Sequence, residues 1–124
     1  LKQVKERLAD AASMHEKAAE LLQQDQPTEG LQQVAQVVEI WLQTQQAVQH
    51  SATLLGFDLD SLEVDGQPMS ELTNNLAEQL RGLKDMLNSG DTVALADALA
   101  YEWPETVERW RQLVQTLIDR IEAG

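Results

Sequence analysis

The stretch Asp91-Thr-Val-Ala-Leu-Ala-Asp-Ala-Leu-Ala-Tyr-Glu-Trp-Pro-Glu-Thr-Val-Glu-Arg-Trp110, continuing to Ile121, decides the fold. Leu95, Leu99, Trp103, Val107, Trp110, Val114, Leu117 and Ile121 recur every three or four residues, which lays one apolar stripe along a helix. Asp91 is a suitable N-cap, because its carboxylate can accept from the free backbone N–H groups of the first turn. Pro104 has no N–H to give to the carbonyl of Ala100, and its ring crowds that carbonyl. A helix running through it is expected to bend or break near Tyr101 to Trp103. Two readings of that bend stay open: a local functional feature, or the curve of a last helix over a core.

Working outward, the same periodicity repeats. Upstream, Met69, Leu72, Leu76, Leu80, Leu83 and Leu87 form a stripe, with Met86 beside it and Asn88-Ser-Gly as a stop. Pro68 suits the first helical position. Leu31, Val34, Val38, Trp41, Gln45, Val48, Ala52 and Leu55 alternate three and four apart without a slip, with Thr28 as the expected N-cap and Gly56 as the C-terminal cap. Gln45 reads as a partly exposed or hydrogen-bonded core position, or as a polar residue that specifies a partner. Leu1, Val4, Leu8, Ala11, His15, Ala18 and Leu22 give a first seam, and Asp25-Gln-Pro-Thr-Glu-Gly breaks it. Folding back at that turn sets Trp41 opposite Ala11 and Ala12, large against small. In the connection 56–68, Phe57, Leu59, Leu62 and Val64 are expected under one end of the helices, with a tight turn at Asp65-Gly66. The expected architecture is one all-α domain over residues 1–124, an up-down-up-down four-helix bundle. Its helices span about 1–24, 28–55, 68–88 and 91–122, the last kinked or broken near Pro104.

Composition narrows the function classes. With no cysteine, disulfides, thiol catalysis and cysteine-based zinc sites are excluded, and a reducing, cytoplasmic setting is expected. No apolar run approaches the roughly 20 residues of a membrane span, and no signal-peptide pattern follows Leu1. The net charge is −12, and no Lys or Arg occurs from Ala18 to Leu80. Such a chain repels phosphate backbones and anionic headgroups, so neither nucleic acid nor membrane is expected as a partner. The acidity suits a basic protein partner and equally serves solubility.

Catalytic groupings are lacking. His15 lies in an apolar seam and reads as a core histidine, whereas His50 falls opposite its seam and is expected to be solvated. Neither belongs to a His-Glu-x-x-His or Glu-x-x-His pattern, and no Gly-rich phosphate loop or Gly-x-Ser-x-Gly elbow is present. The acidic connection fails as a calcium loop, since setting Asp65-Gly66 at the fifth and sixth positions puts Ser61 first and Leu72 twelfth. No cofactor and no metal are expected. The nearest approach to a polar site is Asp97, Tyr101 and Glu102. Asp97 and Glu102 lie about 140° apart around a helix, but Asp97 and Tyr101, four apart, can touch. Asp97, between Ala96 and Ala98, is expected to be partly buried and paired with Arg81 or Lys84, with Tyr101 as a second donor.

The pattern Asp91-x-Val93-x-Leu95-Ala96-Asp97-x-Leu99-x-Tyr101-Glu102-x-Pro104, followed by Trp110, resembles that of small uncharacterised bacterial helical proteins. Leu54-Leu55-Gly56-Phe57-Asp58 and Val64-Asp65-Gly66 look like the connection of the same group. The resemblance covers about the second half of the chain and carries no activity. In length and layout the chain is loosely similar to flagellar export chaperones, a likeness at the level of fold alone. The expected function is therefore protein interaction, of chaperone or adaptor type, and not enzymatic turnover. Asp97, Tyr101, Glu102, Trp103 and Trp110 are the candidate interaction or polar-site residues, and the partner would be a helix laid in a groove or a second copy of the chain. The alternative is a small-ligand or enzymatic bundle built on Asp97, Tyr101 and Glu102.

Overall fold

The computed structural model describes residues 2–24 and 27–123. The expected seam residue Leu1 and the turn residues Asp25 and Gln26 lie outside them. The described chain is almost wholly helical: α1 (Lys2–Gln23), α2 (Pro27–Leu55), α3 (Met69–Ser89), α4 (Thr92–Asp97), a π-helical segment (Ala98–Glu102) and α5 (Trp103–Ala123). A two-residue hairpin, β1 (Glu63–Val64) with β2 (Gln67–Pro68), is the one sheet among the described residues. The helix α1 packs most extensively on α2, and also on α4, the π-segment and α5.

The seams read from the sequence are the buried faces. Val4, Leu8, Ala11, His15, Ala18 and Leu22 of α1 are all buried, as are Val34, Val38, Trp41, Val48 and Ala52 of α2. Two expected seam residues are exposed instead: Leu55 and Ile121, at 49% and 38%. Both stand at or near the end of their rods, where a stripe outruns the neighbour that would cover it. Burial also extends beyond the single stripe, to Val37 and Thr44 on α2 and to Thr106, Leu113 and Ile118 on α5. A helix with neighbours on two sides needs a wider apolar face than a two-in-seven seam. Two of the buried hydroxyls are satisfied locally, Thr44 donating to Ile40 O at 2.8 Å and Thr73 to Ser70 O at 2.7 Å.

Thr28 is not the N-cap of α2. The helix already begins at Pro27, whose fixed φ suits a first helical residue and whose missing N–H would have been unpaired there in any case. At the other end Gly56 (φ 72°) closes α2: its N–H donates to Thr53 O (3.3 Å), and that of Phe57 donates to Ala52 O (2.9 Å). Gly90 (φ 69°) repeats the arrangement on α3, with bonds from Gly90 to Leu87 O and from Asp91 to Met86 O. Both are Schellman closures, which need the left-handed residue that glycine adopts without strain.

The connection between α2 and α3 is more ordered than a loop. Asp65 (φ 51°) and Gly66 (φ 81°) form the tight turn of the hairpin, both left-handed as a two-residue turn of this hand requires. Val64 is buried beneath it, with Phe57, Leu59 and Leu62 partly buried against the core. The same loop caps α3: Met69 N–H donates to Leu62 O (2.8 Å) and Ser70 N–H to Leu59 O (3.2 Å). Loop carbonyls thereby serve two N–H groups that a helix start leaves open.

Polar contacts tie the helices at successive levels. Trp41 Nε1 donates to His15 Nε2 (3.0 Å), linking α2 to α1, and Gln45 Nε2 reaches Thr73 O (3.5 Å), linking α2 to α3. Gln79 and Thr106 exchange two hydrogen bonds, 2.9 and 3.0 Å, between α3 and α5. Lys5 Nζ donates to Gln115 Oε1 between α1 and α5.

Candidate functional site

Around the π-segment the organising stretch departs from an ordinary helix. Asp91 caps α4 as expected, its carboxylate accepting from Ala94 N–H at 3.1 Å. Seven residues later the backbone passes into five π-helical residues, and Trp103 N–H donates to Ala98 O, five residues back. Widening the helix by one residue just before Pro104 is a way to meet a residue that cannot donate to the carbonyl four back. Such π-bulges are found frequently at functional sites. Here one cleft opens on either side of the segment.

The larger cleft, about 580 Å³, lies between α3 and α5. Leu72 and Trp110 contribute to its floor, together with the hydrogen-bonded pair Gln79 and Thr106. Glu78, Tyr101, Glu102, Glu105 and Arg109 line its sides. Tyr101 is 78% exposed, the most exposed of the chain's large apolar side chains among the described residues. Arg109 is held by Glu105 at 2.8 Å and by Gln67 at 3.4 Å. Glu78 and Glu102 have no cation in ion-pair reach among the described residues. The cleft thus presents carboxylates, one arginine and one exposed aromatic ring around a partly apolar floor.

The smaller cleft, about 410 Å³, lies on the other side, between α1 and the π-segment. Ala12, His15, Glu16, Ala19 and Glu20 of α1 face Leu99, Ala100 and Pro104. His15 itself is 2% exposed. Its ring stacks near Trp41 (centroids 6.0 Å apart, planes 13° apart) and meets Trp103 edge-on at 5.4 Å. Trp41 in turn packs on Trp103 (5.3 Å) and edge-on to Trp110 (6.0 Å). Since an indole N–H only donates, His15 Nε2 must be the unprotonated acceptor, and the ring proton of the neutral imidazole resides on Nδ1. His15 Nδ1 is the one buried side-chain polar atom without a hydrogen-bond partner among the described residues. Burial holds the ring neutral, pushing its pKa from 6.5 down to about 4.

Of the residues that the sequence singles out, Tyr101, Glu102 and Trp110 meet in the larger cleft. Trp103 lies in the core, beneath the π-segment. Asp97 is exposed, belongs to neither cleft, and makes no ion pair with Arg81 or Lys84 among the described residues. Its apolar neighbours in sequence are a poor guide, because adjacent helical residues point about 100° apart. Trp41, set by the spacing opposite Ala11 and Ala12, meets His15 one turn further along. The cluster of His15 with the three tryptophans is not legible from any one helix. The signal that does exist is that all four sit on apolar seams, Trp103 and Trp110 sharing one.

Among the described residues no helix is long and apolar enough to cross a membrane, and no three His, Cys, Asp or Glu side chains are grouped as a metal site. A family model described as a domain of unknown function (DUF8042) matches residues 1–113, reaching well beyond the second half of the chain that carries the resemblance. No curated protein and no solved structure matches the chain.

Proposed function

We propose that this chain, which belongs to the DUF8042 family, acts by binding a protein partner without catalytic turnover, and that a basic segment of the partner lies in the cleft between α3 and α5. One observation carries the reading: exposed Tyr101 shares the cleft with Glu78 and Glu102, which have no ion pair among the described residues, and with the apolar side chains of Leu72 and Trp110. An exposed aromatic next to a partly apolar groove is the usual make-up of an interaction hot spot. Carboxylates around it favour Lys or Arg on the incoming chain and steer its approach. The net charge of −12 extends that preference over the whole surface and disfavours nucleic acid and anionic membrane. A cysteine-free chain of this kind suits the cytoplasm.

The reading takes the rods as an up-down-up-down bundle, with α4, the π-segment and α5 as one bent rod. Supporting it, Gln45 in the later part of α2 bonds Thr73 near the start of α3, and Lys5 near the start of α1 bonds Gln115 toward the end of α5. The bend is supported by the π-helical residues just before Pro104. A ligand-binding or enzymatic site at Asp97, Tyr101 and Glu102 draws less support, since Asp97 lies outside the cleft that holds the other two.

The test is an amide NMR titration of the ¹⁵N-labelled chain with a Lys/Leu amphipathic peptide. Saturable shifts should centre on Glu78, Tyr101 and Glu102. The Tyr101→Ala variant and the Glu78→Lys/Glu102→Lys double variant should each weaken binding by about tenfold or more. Shifts scattered over all acidic faces, or affinities unmoved by these substitutions, would refute the proposal.

A further inference from the structure

We infer that the segment bound between α3 and α5 is anchored there by an arginine in preference to a lysine, and that Tyr101 makes the distinction: the guanidinium lies on the face of its ring, with Glu78 and Glu102 accepting N–H groups at the edge. This rests on the reading of the cleft as a docking site for a basic segment, and it specifies what that segment must carry.

Charge cannot separate the two side chains, since each brings one positive charge to the same carboxylates. Shape and hydration can. A guanidinium is flat, sheds water more readily than an ammonium, and spreads five N–H groups around one plane. An ammonium is a compact, strongly hydrated point charge. A site therefore selects arginine when it offers a face to lie on, apolar cover for the stem, and acceptors from more than one side.

The cleft has all three. Its face is the ring of Tyr101, 78% exposed and so left uncovered by its own chain. Buried Leu99 and Trp103 hold the backbone on either side of it, so the ring is presented from a fixed position. Leu72 and Trp110 give apolar surface on which the methylenes of a long side chain can lie. The acceptors come from two elements: Asn75 and Glu78, one turn apart on α3, and Glu102 at the end of the π-segment.

The chain's own Arg109 shows what such a set can hold. At the hairpin end of the same cleft its Nη2 donates to Glu105 Oε1 (2.8 Å) and its Nη1 to Gln67 Oε1 (3.4 Å), a carboxylate and an amide oxygen from two elements. The Tyr101 end repeats that pairing of acceptors, with Glu78 and Asn75, and adds the aromatic face. Arg109 is engaged by Glu105 and Gln67, and neither Glu78 nor Glu102 has an ion pair among the described residues, so an incoming guanidinium meets no competitor there.

The probes are the Lys/Leu amphipathic peptide and its counterpart with every lysine replaced by arginine, equal in length and charge, with a citrulline peptide that keeps the plane and loses the charge. The arginine peptide should bind about three- to tenfold more tightly than the lysine peptide and shift the Tyr101 ring protons. The citrulline peptide should bind more weakly than either. Tyr101→Phe should keep the arginine-to-lysine ratio, and Tyr101→Leu should bring it close to one. The side chain is exposed, so both variants should melt as the parent does. Equal affinities, a preference for lysine, or a ratio that survives Tyr101→Leu would overturn the inference and leave the docking site standing. If neither charged peptide gave saturable shifts at Glu78, Tyr101 and Glu102, the docking site and the inference would fall together.

Discussion

Single residues decide how tightly this core closes, and His15 with Trp41 is the pair on which most depends. Trp41 is fully buried, packs on two further indoles and on the imidazole, and gives the His15 ring its only hydrogen bond among the described residues. Trp41→Ala should therefore cost roughly 3–5 kcal/mol in chemical denaturation, at the upper end because it also leaves both His15 nitrogens unpaired. A loss below about 1 kcal/mol would show that the cluster collapses without strain. The titration of His15 has a definite sign. Its folded pKa, about 4, lies below the unfolded value of 6.5, so the unfolded chain takes up the proton first. The stabilisation is full above pH 6.5 and is lost as pH falls through about 4. That loss is on the order of 3 kcal/mol for a ring buried this deeply. The difference in stability between the parent chain and His15→Gln, measured across that window, should narrow steadily toward low pH. A constant difference would refute the assignment. Glycine gives a second contrast at this scale. A Cβ on Gly30 would lie 2.7 and 2.8 Å from the Leu22 side chain, whereas one on Gly82 would meet nothing within 4 Å. Gly82→Ala should add about 0.5–1 kcal/mol through helix propensity, and Gly30→Ala should lose about 1–3 kcal/mol by prising α1 from α2. Thermal melts of the two variants would separate these outcomes, and equal shifts would deny Gly30 its role in close approach.

At the scale of the element, the ends of helices are specified more sharply than their middles. The Asp91 cap, the Gly56 and Gly90 closures and the Asp65-Gly66 turn all fall where the sequence puts them, because each depends on a backbone conformation or side-chain acceptor that few residues supply. Asp91→Ala should cost about 1 kcal/mol, whereas Asp91→Asn or Asp91→Ser should retain most of the stability. If all three melted alike, the observed bond to Ala94 would contribute nothing. Thr28 illustrates the limit of such reading. Proline and threonine both mark helix starts, and the choice between adjacent positions rests on a single residue's backbone angle. The π-segment is a further case. Pro104 announces a disturbance in the helix, but a bend, a break and a widened turn all answer the same missing N–H. Which one forms depends on where Leu99 and Trp103 must point to reach the core. Asp97 departs from expectation for a related reason. A residue flanked by buried alanines in sequence still stands on another side of the helix, and only the neighbouring rods decide whether that side is covered.

For the whole molecule, charge is the term that no local contact balances. The two ion pairs among the described residues, Glu105 with Arg109 and Glu108 with Arg111, are both on α5, exposed and within one turn, so they contribute little. A net charge of −12 then acts mainly as self-repulsion. Raising NaCl from about 0.05 to about 0.5 M should raise Tm by a few degrees as the repulsion is screened. An unchanged or lower Tm would mean that the acids are spaced widely enough not to oppose folding. The amino-acid order alone determined that the chain is helical, where most of its rods begin and end, and which faces they bury, because period, caps and breakers act within a few residues of one another. It also marked Tyr101, Glu102 and Trp110, which the fold gathers in one cleft. Tertiary structure alone decided that Asp97 stays outside, that Trp41 and Trp103 from distant segments close on His15 with Trp110 against Trp41, and that one ring nitrogen of His15 is left buried without an acceptor. Those outcomes turn on distances between residues far apart in the chain, and periodicity along one helix carries no information about which residue of another stands at the same height.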